Sequence, residues 1–193
     1  MTESRTARTV STTADQSGLS VRDLILVAVL LAAGAVLKMT VSSFFTFAGM
    51  KPNFMIAMYC LAIILIRPKV YQAVIIGLLT GLISQIPLMN ATPLVNLASE
   101  PLGALACGLL VLLFAKIAAD NKTLQNVVFP AIITFLSTVV SGYTFAIIVG
   151  CGTAKLALGA VLVTYAPMVL GTASINAVLV AILTPILRSV LKR

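Results

Sequence analysis

Charged residues are scarce in this sequence, and histidine and tryptophan are missing altogether. Of the 193 residues, 9% are charged and 60% are hydrophobic, and the mean hydropathy is +1.13. A soluble core of this size does not need so much apolar surface, whereas each membrane-spanning helix needs roughly 20 predominantly apolar residues. The sequence therefore predicts an all-α integral membrane protein, in which the few polar residues at membrane depth are the functional candidates.

The missing residue types also exclude several kinds of chemistry. Without histidine there is no Ser–His or Cys–His nucleophile pair, and the three cysteines have no metal-binding or redox spacing. No Gly-x-x-x-x-Gly-Lys-Ser/Thr loop for ATP is present. Apart from Asp23 at a helix boundary, Glu100 is the only acidic residue that falls within a predicted helix. We therefore predict a small passive or partner-driven membrane protein and not an enzyme, with no catalytic residue, metal or cofactor.

Six apolar segments predict a six-helix transmembrane bundle. They lie at about 21–41, 52–66, 69–88, 98–118, 125–150 and 157–187. The first begins with a capping box, Ser20 followed by Asp23, and the last contains Pro167 and Pro185, which could break it. The second is short for a membrane span. Residues 1–20 are expected to form a disordered cytoplasmic tail, and residues 21–193 a single domain.

The basic residues predict the orientation of the bundle. With the N-terminus in the cytoplasm, ten of the 13 Lys and Arg residues lie on the inner side and only Lys38, Lys51 and Lys155 on the outer side. This bias predicts that both termini are cytoplasmic. The net charge of +8 is thus mainly a topology signal, and no nucleic-acid partner is indicated.

The outer ends of the predicted helices collect most of the remaining polar and aromatic side chains. Lys51 and Glu100 offer one cation and one anion, which would suit a zwitterion with an apolar side chain. An aromatic ligand could stack on nearby phenylalanine or tyrosine rings. The other candidate substrate-binding residues are Phe44, Phe45, Phe47, Asn53, Gln85, Asn90, Asn96, Tyr143 and Tyr165.

Each of these candidates also has a plainer interpretation. Glu100 could be a helix N-terminal charge that faces water, and Lys51 could extend to the membrane interface. The aromatic residues could be interfacial anchors. Asn176 lies within the sixth helix, where a hydrogen bond to another helix is favoured over contact with a ligand.

Small residues one turn apart predict close helix contacts. Gly77-x-x-x-Gly81 on the third helix and Ala104-x-x-x-Gly108 on the fourth favour packing inside the bundle. Ala28-x-x-x-Ala32 on the first helix could instead meet a partner protein.

The size, six spans, cytoplasmic termini and absent ATPase resemble the S component, the substrate-binding subunit, of energy-coupling factor (ECF) transporters. Ala28-x-x-x-Ala32 is similar to the Ala-x-x-x-Ala motif of that family. Within the family, Gly49-Met50-Lys51-Pro52-Asn53-Phe54-Met55 and the short span after it resemble the tryptophan transport protein group over roughly residues 24–110. Asn96-x-x-x-Glu100-Pro101 is also similar to that group.

The resemblance implies a high-affinity binding subunit of an ECF-type ABC importer in a prokaryotic cell membrane, most simply for tryptophan or a related aromatic solute. Ala28 and Ala32 would face a transmembrane coupling subunit, and two cytoplasmic ATPases would drive release of the substrate as the S component topples. Two alternatives stay open at this point, an S component for another vitamin and a self-sufficient secondary transporter or facilitator.

Overall fold

A computed structural model describes residues 18–44, 51–87, 89, 91–117 and 121–192. Regular structure in these ranges is entirely helical. The six α-helices are α1 (Val21–Thr40), α2 (Phe54–Ile66), α3 (Val70–Ile83), α4 (Asn96–Lys116), α5 (Phe129–Ile147) and α6 (Leu158–Leu191). Short 3₁₀ helices at Val41–Phe44 and Pro93–Val95 and π-helices at Leu124–Val128 and Ile148–Thr153 connect or extend them.

The predicted start of α1 is confirmed by its hydrogen bonds. The Asp23 backbone N–H donates to Ser20 Oγ at 3.2 Å, and the Ser20 N–H donates to Asp23 Oδ2 at 3.2 Å. This reciprocal capping box satisfies donors that a helix N-terminus leaves without partners. The expected tail, residues 1–20, falls mostly outside the described residues, since residues 1–17 are not described.

Helix α2 is the centre of the molecule. It contacts α1, α3, α4, α5 and α6, and every residue from Phe54 to Leu65 is buried. A helix that is apolar on all sides must be covered on all sides, and 13 apolar residues are typical of a buried core helix. The purely apolar sequence of α2 is therefore explained by its protein neighbours.

Helices α3 and α4 pack closely through small residues, as the Gly77 and Gly81 spacing predicts. A Cβ atom on Gly77 would lie 2.6 Å from the Ala104 Cβ, and one on Gly81 would lie 2.7 Å from the Asn96 carbonyl oxygen. A Cβ on Gly108 would lie 3.1 Å from the Ala73 Cβ. The predicted internal packing of this Gly/Ala contact is confirmed.

Helix α3 is shorter than expected, since it ends at Ile83 and not near residue 88. Pro87 disfavours helical backbone at the residue before it. The Gln85 side chain then donates to the carbonyl oxygens of Gly81 at 2.7 Å and Pro93 at 2.9 Å. These bonds end the helix and attach it to the segment that leads into α4.

Four of the helical segments are long and apolar enough to cross a membrane, namely Val21–Thr40, Pro93–Lys116, Leu124–Thr153 and Leu158–Leu191. Helices α2 and α3 are shorter apolar helices of 13 and 14 residues. Helix α6 continues through Pro167 and Pro185, so neither proline breaks it. The fold is an apolar helical bundle with α2 inside it.

Candidate functional site

A cavity lies at the end of the bundle where α2 and α4 begin. Helices α2, α4, α5 and α6 and the residues before α2 enclose about 440 Å³ of empty space, including the part open at its mouth. Its walls are formed by Lys51, Asn53, Ile56, Asn96, Ser99, Thr138, Ser141, Gly142, Phe145, Met168, Val169 and Thr172.

The wall of this cavity is amphipathic. Four of its elements contribute polar groups, among them the ammonium of Lys51 and the amides of Asn53 and Asn96. Phe145 and Met168 are part of its apolar surface. An aromatic ring and a thioether next to fixed polar groups can take up a ligand that is apolar at one end and charged at the other.

Glu100 lies directly behind this wall. It is fully buried, and its carboxylate accepts a hydrogen bond from Asn53 Nδ2 at 2.5 Å and one from Ser141 Oγ at 3.4 Å. Both donors line the cavity. The plainer interpretation of Glu100, a helix-end charge facing water, is therefore wrong. Its negative charge instead polarises two groups of the cavity wall.

Lys38 is the second buried charge near the cavity, and the sequence interpretation counted it only as an outer-side charge. It is 1% exposed, its Nζ donates to Ser84 Oγ at 3.4 Å, and it interacts electrostatically with Glu100. The sequence did contain a signal for this burial. Lys38 follows Leu31 and Gly34 at helical spacings of three and four residues, so it lies on the same buried stripe of α1.

Several buried polar atoms around the cavity have no hydrogen-bond partner among the described residues. They include Ser99 Oγ and the side-chain oxygens of Asn53 and Asn176. Buried polar groups are normally paired, so atoms of this kind next to a cavity indicate places for water or a ligand. Asn176 Nδ2 does donate, to the Asn53 carbonyl at 3.0 Å and to Thr138 Oγ1 at 3.4 Å, which confirms the expected hydrogen bond to another helix.

The structure brings together four of the predicted site residues. Lys51, Asn53 and Asn96 line the cavity, and Glu100 contacts it through Asn53. The amide of Asn96 also donates to the Pro93 carbonyl at 3.1 Å, which orients it at the start of α4. Predictions for Phe45, Phe47 and Asn90 concern positions outside the described residues.

Four other predicted residues lie away from the cavity wall. Phe44 is 85% exposed, and Gln85 caps the end of α3. The Tyr143 hydroxyl donates to the Leu162 carbonyl at 3.3 Å. Tyr165 is buried in an apolar cluster with Ala146, Val161 and Val169, against which Tyr143 also packs.

The sequence interpretation overlooked most of the contribution of α5 and α6. Thr138, Ser141 and Phe145 follow one another at spacings of three and four residues, so they share one face of α5. Met168 and Thr172 have the same relation on α6. Hydroxyl groups repeated on one face of an apolar helix were the signal for this wall.

Comparison with known proteins extends the resemblance over the whole helical region. The family "Tryptophan transporter TrpP" matches residues 20–192, well beyond residue 110, where the likeness had been expected to fade. The chain is 31% identical over 177 residues to the "Probable tryptophan transport protein" of Bacillus subtilis (strain 168), which covers 89% of this chain and 94% of that protein. No solved structure matches the chain. The chain belongs to the tryptophan transporter TrpP family and is a multi-pass protein of a prokaryotic cell membrane.

Proposed function

We propose that this protein binds tryptophan in the cavity between α2, α4, α5 and α6, and that it is the substrate-binding S component of an ECF-type importer. In this proposal all six helices cross the membrane, both termini are cytoplasmic, and the cavity opens to the outside. The positive-inside bias of the sequence supports this orientation.

The cavity offers a partner for each part of the ligand. The Lys51 ammonium would pair with the carboxylate, and Asn53 and Ser141, both polarised by Glu100, would form the polar environment of the amino group. The indole would pack on Phe145, Met168 and Val169. In this proposal the indole stacks on Phe145, and not on Phe44 or Tyr143 as the sequence predicts.

One observation carries the assignment of this cavity. Asn53 and Lys51 both line the cavity, two residues apart in the chain. Asn53 also donates a 2.5 Å hydrogen bond to Glu100. It therefore lies between the cation and the anion that would recognise a zwitterion. Burial of an acid at this position is costly without compensating contacts. Membership of the TrpP family supports tryptophan over the alternative of a vitamin.

The S-component role is supported by what α1 leaves exposed. Its buried stripe faces α2, and Ala28 and Ala32 lie on its exposed surface. Two alanines one turn apart allow close approach of a second helix. The chain also has no nucleotide-binding loop, so active uptake would require partner ATPases.

Equilibrium titration with L-tryptophan tests the binding site. Because the chain contains no tryptophan, the indole fluorescence of the ligand reports binding without background from protein tryptophan, and calorimetry gives the stoichiometry. We expect one site in the wild type. Lys51→Ala should weaken affinity by about ten- to hundredfold, because a hydrogen bond to a charged group contributes roughly 1.5–3 kcal/mol.

A matched pair of phenylalanines provides the control. Phe145→Leu should weaken tryptophan binding by about three- to tenfold, in line with roughly 0.5–1.5 kcal/mol for an aromatic pair, while the exposed Phe44→Leu should not change it. Thiamin, biotin and riboflavin are the comparison ligands. Tight binding of one of these, or equal affinities in both phenylalanine variants, would reject this account of the site.

A further inference from the structure

A second cavity lies at the opposite end of the same four helices, where α2, α4 and α6 end and α5 begins. It encloses about 500 Å³ of empty space, including the part open at its mouth, and Arg67 and Arg188 both line it. The same two arginines, with Asp23 and Asn126, line an adjoining opening. Neither the proposed tryptophan site nor its mechanism uses these residues.

Hydrogen bonds hold the Arg67 backbone at the end of α2 and the Arg188 guanidinium against the segment before α5. Arg67 follows α2 in the left-handed conformation, with φ of 51°, and its N–H donates to the Ile63 carbonyl at 2.8 Å. Arg188 Nη1 donates to the Gln125 carbonyl at 3.1 Å and to Asn126 Oδ1. Both of these bonds leave from Nη1, and the other guanidinium N–H groups of Arg188 make no hydrogen bond to another described residue, so they can bind a ligand.

The positive charge at this cavity is not neutralised within the described part of the chain. Arg67 and Arg188 interact unfavourably as like charges, and no described carboxylate lies within 4.0 Å of either one. Asp23 lines the adjoining opening, but its Oδ2 accepts bonds from Ser20 in the capping box. A bound anion would remove this repulsion and form charge-assisted hydrogen bonds.

The inner part of the cavity is apolar. Phe114 and Phe129 pack against each other with ring centroids 4.8 Å apart, and Ile64 and Ile133 complete the surface around them. The cavity therefore joins a cationic mouth to an aromatic and aliphatic interior. This is the chemistry of an amphipathic anion.

We propose that this cavity binds an anionic phospholipid, with the phosphate between Arg67 and Arg188 and an acyl chain against Phe114 and Phe129. Basic pockets between transmembrane helices commonly hold anionic lipid headgroups. An amino acid fits less well, because its ammonium would approach two guanidinium groups. Free phosphate would leave the apolar interior unused. The site is independent of the proposed tryptophan site.

Native mass spectrometry of the detergent-purified full chain tests this proposal. Dioleoyl-phosphatidylglycerol is the probe, and phosphatidylcholine with the same chains controls for acyl binding alone. We expect preferential retention of phosphatidylglycerol, weakened about five- to tenfold by Arg67→Gln or Arg188→Gln, since a basic residue contributes about 1 kcal/mol to binding of anionic lipid.

Lys192→Gln is the matched control, because Lys192 is also a basic residue in the left-handed conformation at a helix end, with φ of 51°, and does not line the cavity. It should bind phosphatidylglycerol like the wild type.

Tryptophan titration of each variant checks that it is folded, since the proposed tryptophan site lies at the other end of the bundle. Equal lipid loss in Lys192→Gln and the arginine variants would overturn the proposal. Displacement of the lipid by millimolar phosphate would assign the site to free phosphate, and displacement by tryptophan would assign it to the transported solute.

Discussion

At the scale of single residues, the buried pair of opposite charges near the candidate site is the least expected feature. Lys38 and Glu100 come from α1 and α4, are both almost fully buried, and interact electrostatically across the bundle. Each ion has lost its hydration, so each depends on the other and on its hydrogen bonds. Removal of one charge leaves the other with its hydrogen bonds alone.

A double-mutant cycle measures this dependence. Lys38→Met and Glu100→Gln should each destabilise the protein, because each removes one of two buried opposite charges, and the double variant should lose less than the sum of the two. Thermal unfolding in detergent, followed by circular dichroism, gives the comparison. Lys155→Met, at an exposed position, is the control. Strict additivity of the two substitutions would show that the charges do not stabilise each other.

Gly103 offers a second residue-scale prediction, because it leaves room for the Tyr59 ring beneath the cavity. A Cβ atom there would lie 2.3 Å from the Tyr59 hydroxyl oxygen and 2.7 Å from the Ser141 Cβ. Gly103→Ala should therefore destabilise the protein by about 1–3 kcal/mol, as overpacking does, and should weaken tryptophan binding through Ser141.

Added to Gly103→Ala, Tyr59→Phe should recover part of this loss, since it removes the hydroxyl that the new methyl group meets. Gly171→Ala is the control, because nothing lies within 4 Å of its added Cβ. The measurement compares the melting temperatures of the wild type, Gly103→Ala, the Gly103→Ala/Tyr59→Phe double variant and Gly171→Ala. A Gly103→Ala protein as stable as Gly171→Ala would mean that α4 can move away from Tyr59 without loss.

At the scale of helices, the sequence predicts the apolar segments well and their ends less well. The boundaries of α1 follow from its hydrophobic run and its capping box, and the start of α6 follows from its hydrophobic run, which are local properties; α6 ends at Leu191, beyond the predicted end at about 187. The early end of α3 depends on Gln85 reaching the Pro93 carbonyl, a contact eight residues away that no local pattern reveals. Likewise, α2 is recognisable as apolar, but only its neighbours show that it is central.

The candidate site divides in a similar way. Lys51, Asn53 and Glu100 are visible in the sequence because polar groups are rare there, whereas Lys38 was assigned to the outer charges. The α5 and α6 walls use Ser, Thr and Phe, which are ordinary residues in apolar helices and become informative only when their shared face is known. Convergence of α2 with α4, α5 and α6 is a tertiary property, so the sequence could name candidates without placing them together.

Helix α1 yields a prediction about the proposed complex. Ala28→Leu and Ala32→Leu enlarge side chains on its exposed face, so they should leave tryptophan binding unchanged and reduce uptake several-fold if this face meets a coupling subunit. Ala33→Leu is the matched control, because Ala33 is also exposed but points to a different side of α1. Uptake of labelled tryptophan by cells that express each variant with its partners is the measurement. Equal uptake in all three variants would contradict a helix contact at Ala28 and Ala32.

At the scale of the whole molecule, the same four helices enclose a cavity at each end, and the layer between them is closed. Tyr59, Cys60 and Cys107 are fully buried in that layer, and the two cavities share no lining residue. Within the described residues, this buried layer separates Lys51 in one cavity from Arg67 in the other. Passage through the protein would require the helices to separate in this layer, where the side chains of Tyr59, Cys60 and Cys107 are 0% exposed.

This closed layer predicts how the protein behaves without partners. In liposomes that contain only this chain, tryptophan should bind but should not accumulate above the level in protein-free vesicles, because the proposed S-component role leaves release and its energy to partner subunits. Addition of a coupling subunit and ATPases with internal ATP should produce uptake. Lys51→Ala distinguishes binding from flux. Because it weakens binding, it should lower uptake at limiting tryptophan, and uptake should recover when tryptophan is saturating. Saturable flux by the chain alone, sensitive to Lys51→Ala, would instead establish a facilitator whose helices open by themselves.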